Sequence, residues 1–222
     1  MKIWSDSFKD GGFINGANAF CVIDPLTHVQ LSSNHNPHLA WSGLPPGTQS
    51  LALICHDPDV PSRGDDVNQE GRSVPPDLPR LDFFHWSLID IPPAMDSIAE
   101  AQFSSGVTPR GKTGPHIADA PGAAGLRHGI NDYTEWFKGD SEMSGVYFGY
   151  DGPCPPWNDS IVHRYIFTLY ALDVARLPLE SFTGQQARDA LAGHVLAQAQ
   201  TTGLYTLNPF LVGPEYSPAP GA

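Results

Sequence analysis

Short apolar runs separated by Pro, Gly, Asn and Asp recur along the chain, a pattern that predicts β-strands. One run is clearer than the rest, because Tyr165 and Phe167 alternate with Ile166 and Thr168 and both faces are largely apolar. A strand of this kind is expected to be covered on both sides. The predicted strands are Leu51–His56, Phe83–Ile91, Val146–Tyr150, Val162–Val174 and Leu204–Val212.

One segment near the C-terminus has the pattern of a helix. Thr183 and Gln186 have the spacing of a capping box. Apolar residues continue at helical spacing from Ala187 to Ala199, and Gly203 suits the left-handed position after a helix. The sequence therefore predicts an antiparallel, mainly β fold with one helix near its C-terminus.

The composition agrees with this fold class. The chain has 222 residues, of which 22 are Gly and 22 are Pro, and both residue types destabilise helix interiors. Apolar residues make up 41%, which is enough for a substantial core. We expect a single domain over residues 1–222, because no linker divides the chain.

The charge and the cysteine content limit which classes of partner and which cellular compartment we expect. With 12 basic and 24 acidic residues the formal charge is −12, which disfavours nucleic acid and anionic bilayers as partners. No apolar stretch is long enough to predict a membrane span, and Met1–Asp6 lacks the apolar core of a signal peptide. Cys21, Cys55 and Cys154 are odd in number and widely spaced, so we expect reduced thiols and a cytoplasmic protein.

Two long segments are predicted to be loops, because neither has the periodicity of a helix or a strand: Pro61–Asp82 and Ser104–Ser144. The second contains Gly106–Thr113, which matches the P-loop pattern letter for letter. Gly114-Pro115 follows directly and prevents the helix that a P-loop needs, so we interpret the match as a solvated loop. The nine histidines and three cysteines show no metal-ligand spacing, and no cofactor or metal is expected.

Polar residues stand at the ends of the predicted strands. Asp57 and Asp59 follow one strand on a backbone stiffened by two prolines, His85 lies within the next, and His163-Arg164 opens the most apolar one. Each has an ordinary structural explanation when taken alone: a capped turn, a core histidine or an ion pair. Charges at the start of an apolar strand need partners, and the two aspartates are the obvious candidates.

Together these residues resemble the phosphatidylethanolamine-binding protein family, also called Raf-kinase-inhibitor-like proteins, and its bacterial and archaeal branch in particular. The resemblance extends over about residues 20 to 205. The motifs that carry it are Asn36-Pro37-His38-Leu39-Ala40-Trp41-Ser42, Asp57-Pro58-Asp59-Val60-Pro61, His85-Trp86, Gly129-Ile130-Asn131-Asp132, Gly152-Pro153-Cys154-Pro155-Pro156 and His163-Arg164-Tyr165.

The resemblance implies two packed antiparallel sheets with a few peripheral helices and a small anion pocket at one end of the sheets. It assigns ligand-binding roles to residues of four segments and a supporting ion pair to Asp59 and Arg164. The implied ligand-binding residues are Asp57, Phe83, His85, Gly152, Pro155, Pro156, His163 and Tyr165. The sequence departs from the family pattern in two places. Residues Tyr133–Tyr150, which include Trp136 and Phe137, lengthen the connection between the Asn131-Asp132 motif and the Gly152–Pro156 turn, and the segment Pro61–Asp82 is also long. Both segments are expected at the pocket rim.

Three functions remain open on this sequence. The resemblance implies a non-catalytic binding protein for a small anionic or phosphorylated ligand of the phospholipid head-group type, with kinase or protease inhibition by analogy. A carboxylate beside two histidines also suits general acid–base work, so a hydrolase or lyase with His85 as base and Asp57 as orienting acid is the alternative. The third is a homodimeric interaction protein. At the anion site, two histidines near pH 7 can each hold a proton if a carboxylate lies close, because an opposite charge favours the protonated form.

Overall fold

The computed structural model describes residues 1–117 and 125–212. The fold is mainly β, and every strand pairing within its sheets is antiparallel. The strands are β1 (Lys2–Trp4), β2 (Cys21–Asp24), β3 (His28–Leu31), β4 (Leu39–Ser42), β5 (Ser50–Pro61), β6 (Arg80–Ile91), β7 (Ser97–Ile98), β8 (Arg127–His128), β9 (His163–Leu172) and β10 (Val195–Tyr205). The helices are α1 (Tyr133–Trp136), α2 (Gly184–Ala190) and a 3₁₀ turn at Gly16–Asn18.

The central sheet has five strands in the order β10-β9-β5-β6-β8. Alternate residues of β5 enter two apolar clusters: Leu51 and Leu53 join the main core, whereas Ala52 and Ile54 pack with Leu191 after α2. The sheet is therefore covered on both faces, as the near-continuous apolar runs predict.

A three-stranded sheet in the order β1-β4-β7 packs against one face of the central sheet. Its residues Leu39, Trp41 and Ile98 share the main core with Leu53 and Phe167 of the central sheet. This arrangement confirms two packed antiparallel sheets, and β2 and β3 add a separate two-stranded ribbon.

The helix prediction is correct at its start and wrong at its end. Thr183 and Gln186 form the predicted capping box, but α2 ends at Ala190 and a turn with Gly193 at φ +83° follows. Residues 195–205 form β10, which pairs with β9 along its whole length. Strand pairing therefore overrides the helical spacing of the apolar residues there.

Other predicted boundaries also change. β5 and β6 run into the predicted Pro61–Asp82 loop, which shrinks to residues 62–79. Val146–Tyr150 forms only isolated bridges at Tyr147 and Phe148 rather than a strand, and β10 ends at Tyr205, so most of Leu204–Val212 is not a strand. Of the predicted Ser104–Ser144 loop, residues 118–124 lie outside the described residues and the remainder contains β8 and α1.

Candidate functional site

A cavity of about 450 Å³ lies at one edge of the central sheet, near the C-terminal end of β5 and the N-terminal ends of β6 and β9. Strand geometry explains how three adjacent strands supply it, since residues two apart point to the same face. Asp57 stands opposite Phe83 in the register of β5 and β6. Six of the eight residues predicted to bind a ligand line the cavity: Asp57, Phe83, His85, Pro155, Pro156 and Tyr165.

Asp57 is the only acidic residue that lines the cavity, within the described part of the chain. Its side chain is almost fully buried, and the register of β5 against β6 shifts just before and just after it. Such irregularities re-aim side chains at the ends of strands. Oδ1 accepts the backbone N–H of Asp59 at 2.8 Å, so the aspartate is held by the backbone of its own strand.

His163 lies behind Asp57 and does not line the cavity, and its role as a ligand contact stays a prediction. It is fully buried, and its Nδ1 donates to Asp57 Oδ2 at 2.7 Å while its Nε2 donates to Asp159 Oδ2 at 3.0 Å. Burial opposes its charge, but the charge of Asp57 and the bonds to both aspartates raise the pKa of His163 to about 9. The ring is therefore an imidazolium whose two donors are both occupied.

Asp159 completes this arrangement and was missed in the sequence analysis. Its Oδ2 also accepts a hydrogen bond from Arg80 Nη1 at 2.6 Å. Burial alone would raise its pKa, yet the bonds to His163 and Arg80 lower it overall. The buried charges thus alternate from Asp57 through His163 and Asp159 to Arg80, and no single charge is left unpaired.

His85 is buried among aromatic rings that also line the cavity. The ring centroids of Phe83, Tyr165 and Tyr133 lie 4.8, 5.0 and 5.6 Å from its own. Burial lowers the pKa of His85, which outweighs the opposite effect of Asp57. Of the two histidines that a nearby carboxylate could keep protonated, His163 has its pKa raised and His85 has its pKa lowered.

A backbone carbonyl fixes the tautomer of the neutral His85 ring. Nδ1 lies 2.8 Å from the carbonyl oxygen of Asp151, so Nδ1 must carry the hydrogen and donate it. Nε2 is then the unprotonated nitrogen, which can accept a hydrogen bond or a proton from a bound molecule. The polar end of the cavity consequently presents acceptors at both His85 and Asp57.

Asp151 is itself held by a buried polar network. Its carboxylate accepts Asn34 Nδ2 and Asn131 Nδ2, each at 2.7 Å, and pairs with Lys112 Nζ at 3.0 Å. Lys112 also donates to the Tyr150 carbonyl oxygen. The P-loop-like sequence therefore places its lysine in the protein interior beside a carboxylate.

The Gly152–Pro156 turn walls the cavity through its prolines and not through Gly152. A Cβ on Gly152 would lie 2.3 Å from the carbonyl oxygen of Asn18, so glycine is required for close packing. Its N–H donates to Asn34 Oδ1 at 2.8 Å, and its carbonyl accepts the Tyr133 hydroxyl at 2.7 Å. Both backbone groups of Gly152 are thus bonded within the protein, and its role in ligand binding stays a prediction.

A disulfide joins Cys21 of β2 to Cys154 of this turn, with their Cα atoms 5.0 Å apart. The expectation of three reduced thiols is wrong for these two, because the fold brings together cysteines 133 residues apart in the chain. Cys55 is unpaired and buried. A chain with this disulfide lacks the three reduced thiols that would favour a cytoplasmic location.

Aromatic side chains of the Tyr133–Tyr150 segment form one wall. Tyr133, Trp136 and Phe137 line the cavity, and Phe20 stacks on Tyr133 with ring centroids 4.7 Å apart. This segment was expected at the pocket rim, although its residues were not assigned to the site. Backbone N–H of Phe84 donates to Asp132 at 2.7 Å and holds the start of α1 against β6.

The residue 62–79 loop covers the other side and supplies the one cationic lining side chain of the described chain, Arg63. Arg63 is two-thirds exposed and lies 3.6 Å from Asp65. Asn158 holds the loop, since its Nδ2 donates to the carbonyl oxygens of Asp66 and Arg72.

The predicted Asp59–Arg164 ion pair is present. Arg164 Nε and Nη2 donate to the two carboxylate oxygens at 2.9 and 2.7 Å, and its backbone N–H donates at 3.0 Å. Neither residue lines the cavity. The pair fastens β9 to the part of β5 that carries Asp57.

Within residues 1–117 and 125–212, no group of three His, Cys, Asp or Glu side chains is arranged to hold a metal ion. The same ranges contain no helix long and apolar enough to cross a membrane.

Comparison with known proteins agrees with this geometry. The family model for phosphatidylethanolamine-binding protein matches residues 4–206. A UPF0098 protein of Methanothermobacter thermautotrophicus is 35% identical over 206 residues, which cover 92% of this chain and 98% of the relative. The UPF0098 protein YbhB of Escherichia coli is 27% identical, with 93% of this chain and all of the relative covered.

Solved structures show the same fold. The crystal structure of Escherichia coli YbcL, described as a member of the mammalian PEBP family, superposes with a TM-score of 0.64 at 23% identity and covers 92% of this chain and 97% of YbcL. The homologue CT736 of Chlamydia trachomatis gives a TM-score of 0.57 at 25% identity, covering 92% of this chain and 95% of CT736. Since the family match extends over nearly the whole chain, the protein belongs to the phosphatidylethanolamine-binding protein family.

Proposed function

We propose that the protein is a non-catalytic binding protein for a small phosphorylated or otherwise anionic ligand of the phospholipid head-group type. The observation that carries the proposal is the pair Asp57 and His85 at the polar end of a cavity with otherwise largely apolar walls. A few convergent polar groups in an apolar cavity of this size are typical of small-molecule sites.

The protonation state of the site sets the form of the ligand. His85 is neutral with Nε2 as acceptor, and Asp57 is an acceptor whenever it is ionised. An oxyacid therefore binds with a proton of its own, as in a phosphate monoester monoanion, whose second pKa is about 6. A dianion binds only if His85 takes up a proton, because the added negative charge raises the pKa of the ring.

The apolar wall gives room for more than the anionic group. Trp136 and Leu31 are both more than half exposed and line the cavity, so they extend its apolar surface to the opening. A head group that carries an aliphatic or aromatic substituent would bury that substituent there. Arg63 at the same opening offers a cation to a second anionic group.

Two finer roles come from the family alone. Inhibition of a protein kinase or protease, and association into homodimers, are proposed for this chain by analogy. Light scattering of the purified protein distinguishes a monomer from a dimer. A panel of kinases and proteases assayed with and without the protein tests inhibition.

The proposal is tested by calorimetric titration of O-phosphoethanolamine into the wild type, His85→Ala and His194→Ala. His194 is the matched control, because it pairs with Asp173 at 3.0 Å on the surface and does not line the cavity. We expect His85→Ala to weaken binding about tenfold or more, as for a lost hydrogen bond to a charged group, and His194→Ala to bind as the wild type does. Equal affinity in all three proteins would contradict the proposal, and ³¹P NMR of the same mixtures would reveal turnover if the site is an enzyme's.

A further inference from the structure

The ribbon formed by β2 and β3 contributes one part of the cavity wall. These strands pair with each other in a sheet of their own, separate from the other two sheets of the described chain. Cys21 on β2 and Leu31 on β3 both line the cavity. The position of the ribbon therefore decides how wide this side of the cavity is.

The ribbon is fastened to the rest of the protein at both ends. At its base, the Cys21–Cys154 disulfide joins it to the proline-rich turn, and the N–H groups of Phe20 and Cys21 donate to the Pro153 carbonyl at 2.9 and 3.2 Å. At its tip, His28 stacks on Trp157 with centroids 3.9 Å apart. Of these attachments of the ribbon, the disulfide is covalent, whereas the hydrogen bonds and the ring stack are not.

The disulfide is reached through the cavity. Both cysteines are lining residues, and Cys154 is partly exposed whereas Cys21 is buried. Cys55, by contrast, is buried in the main core and does not line the cavity. A small thiol that enters the cavity therefore meets the disulfide, and Cys154 is the more accessible sulfur.

We propose that the Cys21–Cys154 disulfide is a thiol-exchange site at which a low-molecular-weight thiol releases the β2–β3 ribbon and opens the cavity. The thiolate attacks Sγ of Cys154 and forms a mixed disulfide there, while the sulfur–sulfur bond breaks and its electron pair leaves on Cys21 as a thiolate. A second thiol then attacks the mixed disulfide, which gives the Cys154 thiolate and the oxidised small molecule. The protein thiolates take protons from water.

The turn determines which side moves. Pro153 and Pro155 restrict the backbone on either side of Cys154, so we expect this cysteine to move less than Cys21 after the bond breaks. Cys21 belongs to a two-stranded ribbon, which has little stability by itself. After reduction Cys21 is held by noncovalent contacts, which include the bond from the Tyr205 hydroxyl to its carbonyl oxygen and its packing in the main core. Exchange therefore loosens the ribbon and not the turn, and re-formation of the disulfide closes the wall again.

The test uses the full-length protein with reduced glutathione as the probe, and no cavity ligand is needed. Its failure is thus distinguishable from a failure of the proposed function. Mass spectrometry of acid-quenched samples maps the glutathione adduct, and amide hydrogen exchange follows residues 20–31 and, as an internal control, residues 51–55 of β5. Two variants accompany the wild type: Cys21→Ser/Cys154→Ser, which lacks the disulfide, and Cys55→Ser, which keeps it.

We expect a glutathione adduct on Cys154 in the wild type and in Cys55→Ser. Hydrogen exchange of residues 20–31 should accelerate about tenfold or more on reduction, with β5 unchanged. The double variant should show the fast ribbon without glutathione, and its unchanged β5 would show that it is folded. A disulfide that resists glutathione in the folded protein, an adduct on Cys21 alone, or reduction without faster exchange of the ribbon would each overturn the proposal.

Discussion

His163 donates its Nδ1 hydrogen to Asp57 at 2.7 Å and places a positive charge directly behind this aspartate, the one carboxylate among the described residues that lines the cavity. Both side chains are buried, and the second ring nitrogen is bonded to Asp159 at 3.0 Å. The histidine therefore supports the site from within. Its effect on a ligand passes through the position and charge of Asp57.

Removal of this histidine should destabilise the fold strongly. His163→Ala leaves Asp57 and Asp159 buried without their shared partner, and breaking a buried ion pair in this way costs about 3–5 kcal/mol. Urea unfolding measures the loss. His194→Ala, which removes an exposed histidine, should change the free energy of unfolding by less than about 0.5 kcal/mol; similar losses in both variants would contradict the assignment.

The same histidine makes stability depend on pH. Its pKa rises from 6.5 in the unfolded chain to about 9 in the folded protein, so the folded state binds the proton more tightly. The stabilisation is fully present below pH 6.5 and is lost as the pH rises through 9. At about 1.4 kcal/mol per unit, His163 contributes about 3 kcal/mol.

Unfolding curves between pH 6 and 10 test this for the wild type and His163→Gln. The wild type should lose stability over that range more steeply than the variant. Parallel curves would show that the imidazolium does not form.

Lys112 should act in the interior and not on a nucleotide. Lys112→Met leaves the buried Asp151 carboxylate without its cation, and the expected loss is about 3 kcal/mol or more. Lys138→Met is the control, since Lys138 is exposed beside Glu135. Unfolding by urea measures both, and a titration with ATP and Mg²⁺ should show no binding to the wild type; ATP binding that Lys112→Met abolishes would restore the P-loop interpretation.

Gly152→Ala should prevent the normal packing of the cavity turn. The new Cβ would lie 2.3 Å from the Asn18 carbonyl oxygen, a backbone atom that cannot rotate away. We expect a loss of about 1–3 kcal/mol or more, the range of overpacked sites. Gly64→Ala is the control, because a Cβ there meets nothing within 4 Å, and a thermal melt that ranks the two variants equally would contradict this packing.

The sequence predicts which polar residues lie at the strand ends of the site, but it does not predict which of them are buried behind the cavity wall. Asp57, His85 and Tyr165 could be predicted because they sit at alternating positions of apolar strands and within motifs. That His163 lies one layer deeper depends on Asp159, four residues earlier in the chain, which closes over its second nitrogen. A signal was present, since a buried cationic ring needs acceptors on both sides, but the sequence does not show which aspartates reach it.

Where the fold predicted from the sequence differs from the structure, the reason is again a contact between distant parts of the chain. Residues 195–203 have helical apolar spacing, and only the available edge of β9 makes them a strand. Cys21 and Cys154 are far apart in the sequence, so their pairing follows from the fold and not from spacing. The aromatic wall at Tyr133 and Phe137 belongs to a segment without clear periodicity, where local pattern carries no information about packing.

The most direct test of the account is the protonation of the His85 ring, followed by ¹⁵N NMR as O-phosphoethanolamine is added at pH 7.5. Without ligand, the account predicts a neutral ring with its hydrogen on Nδ1, held by the Asp151 carbonyl. On saturation at this pH, where the phosphate is mostly a dianion, both ring nitrogens should become protonated, with uptake of about one proton per protein. A His85 ring whose nitrogen signals do not change at saturating ligand would contradict the claim that the anionic group binds at Asp57 and His85.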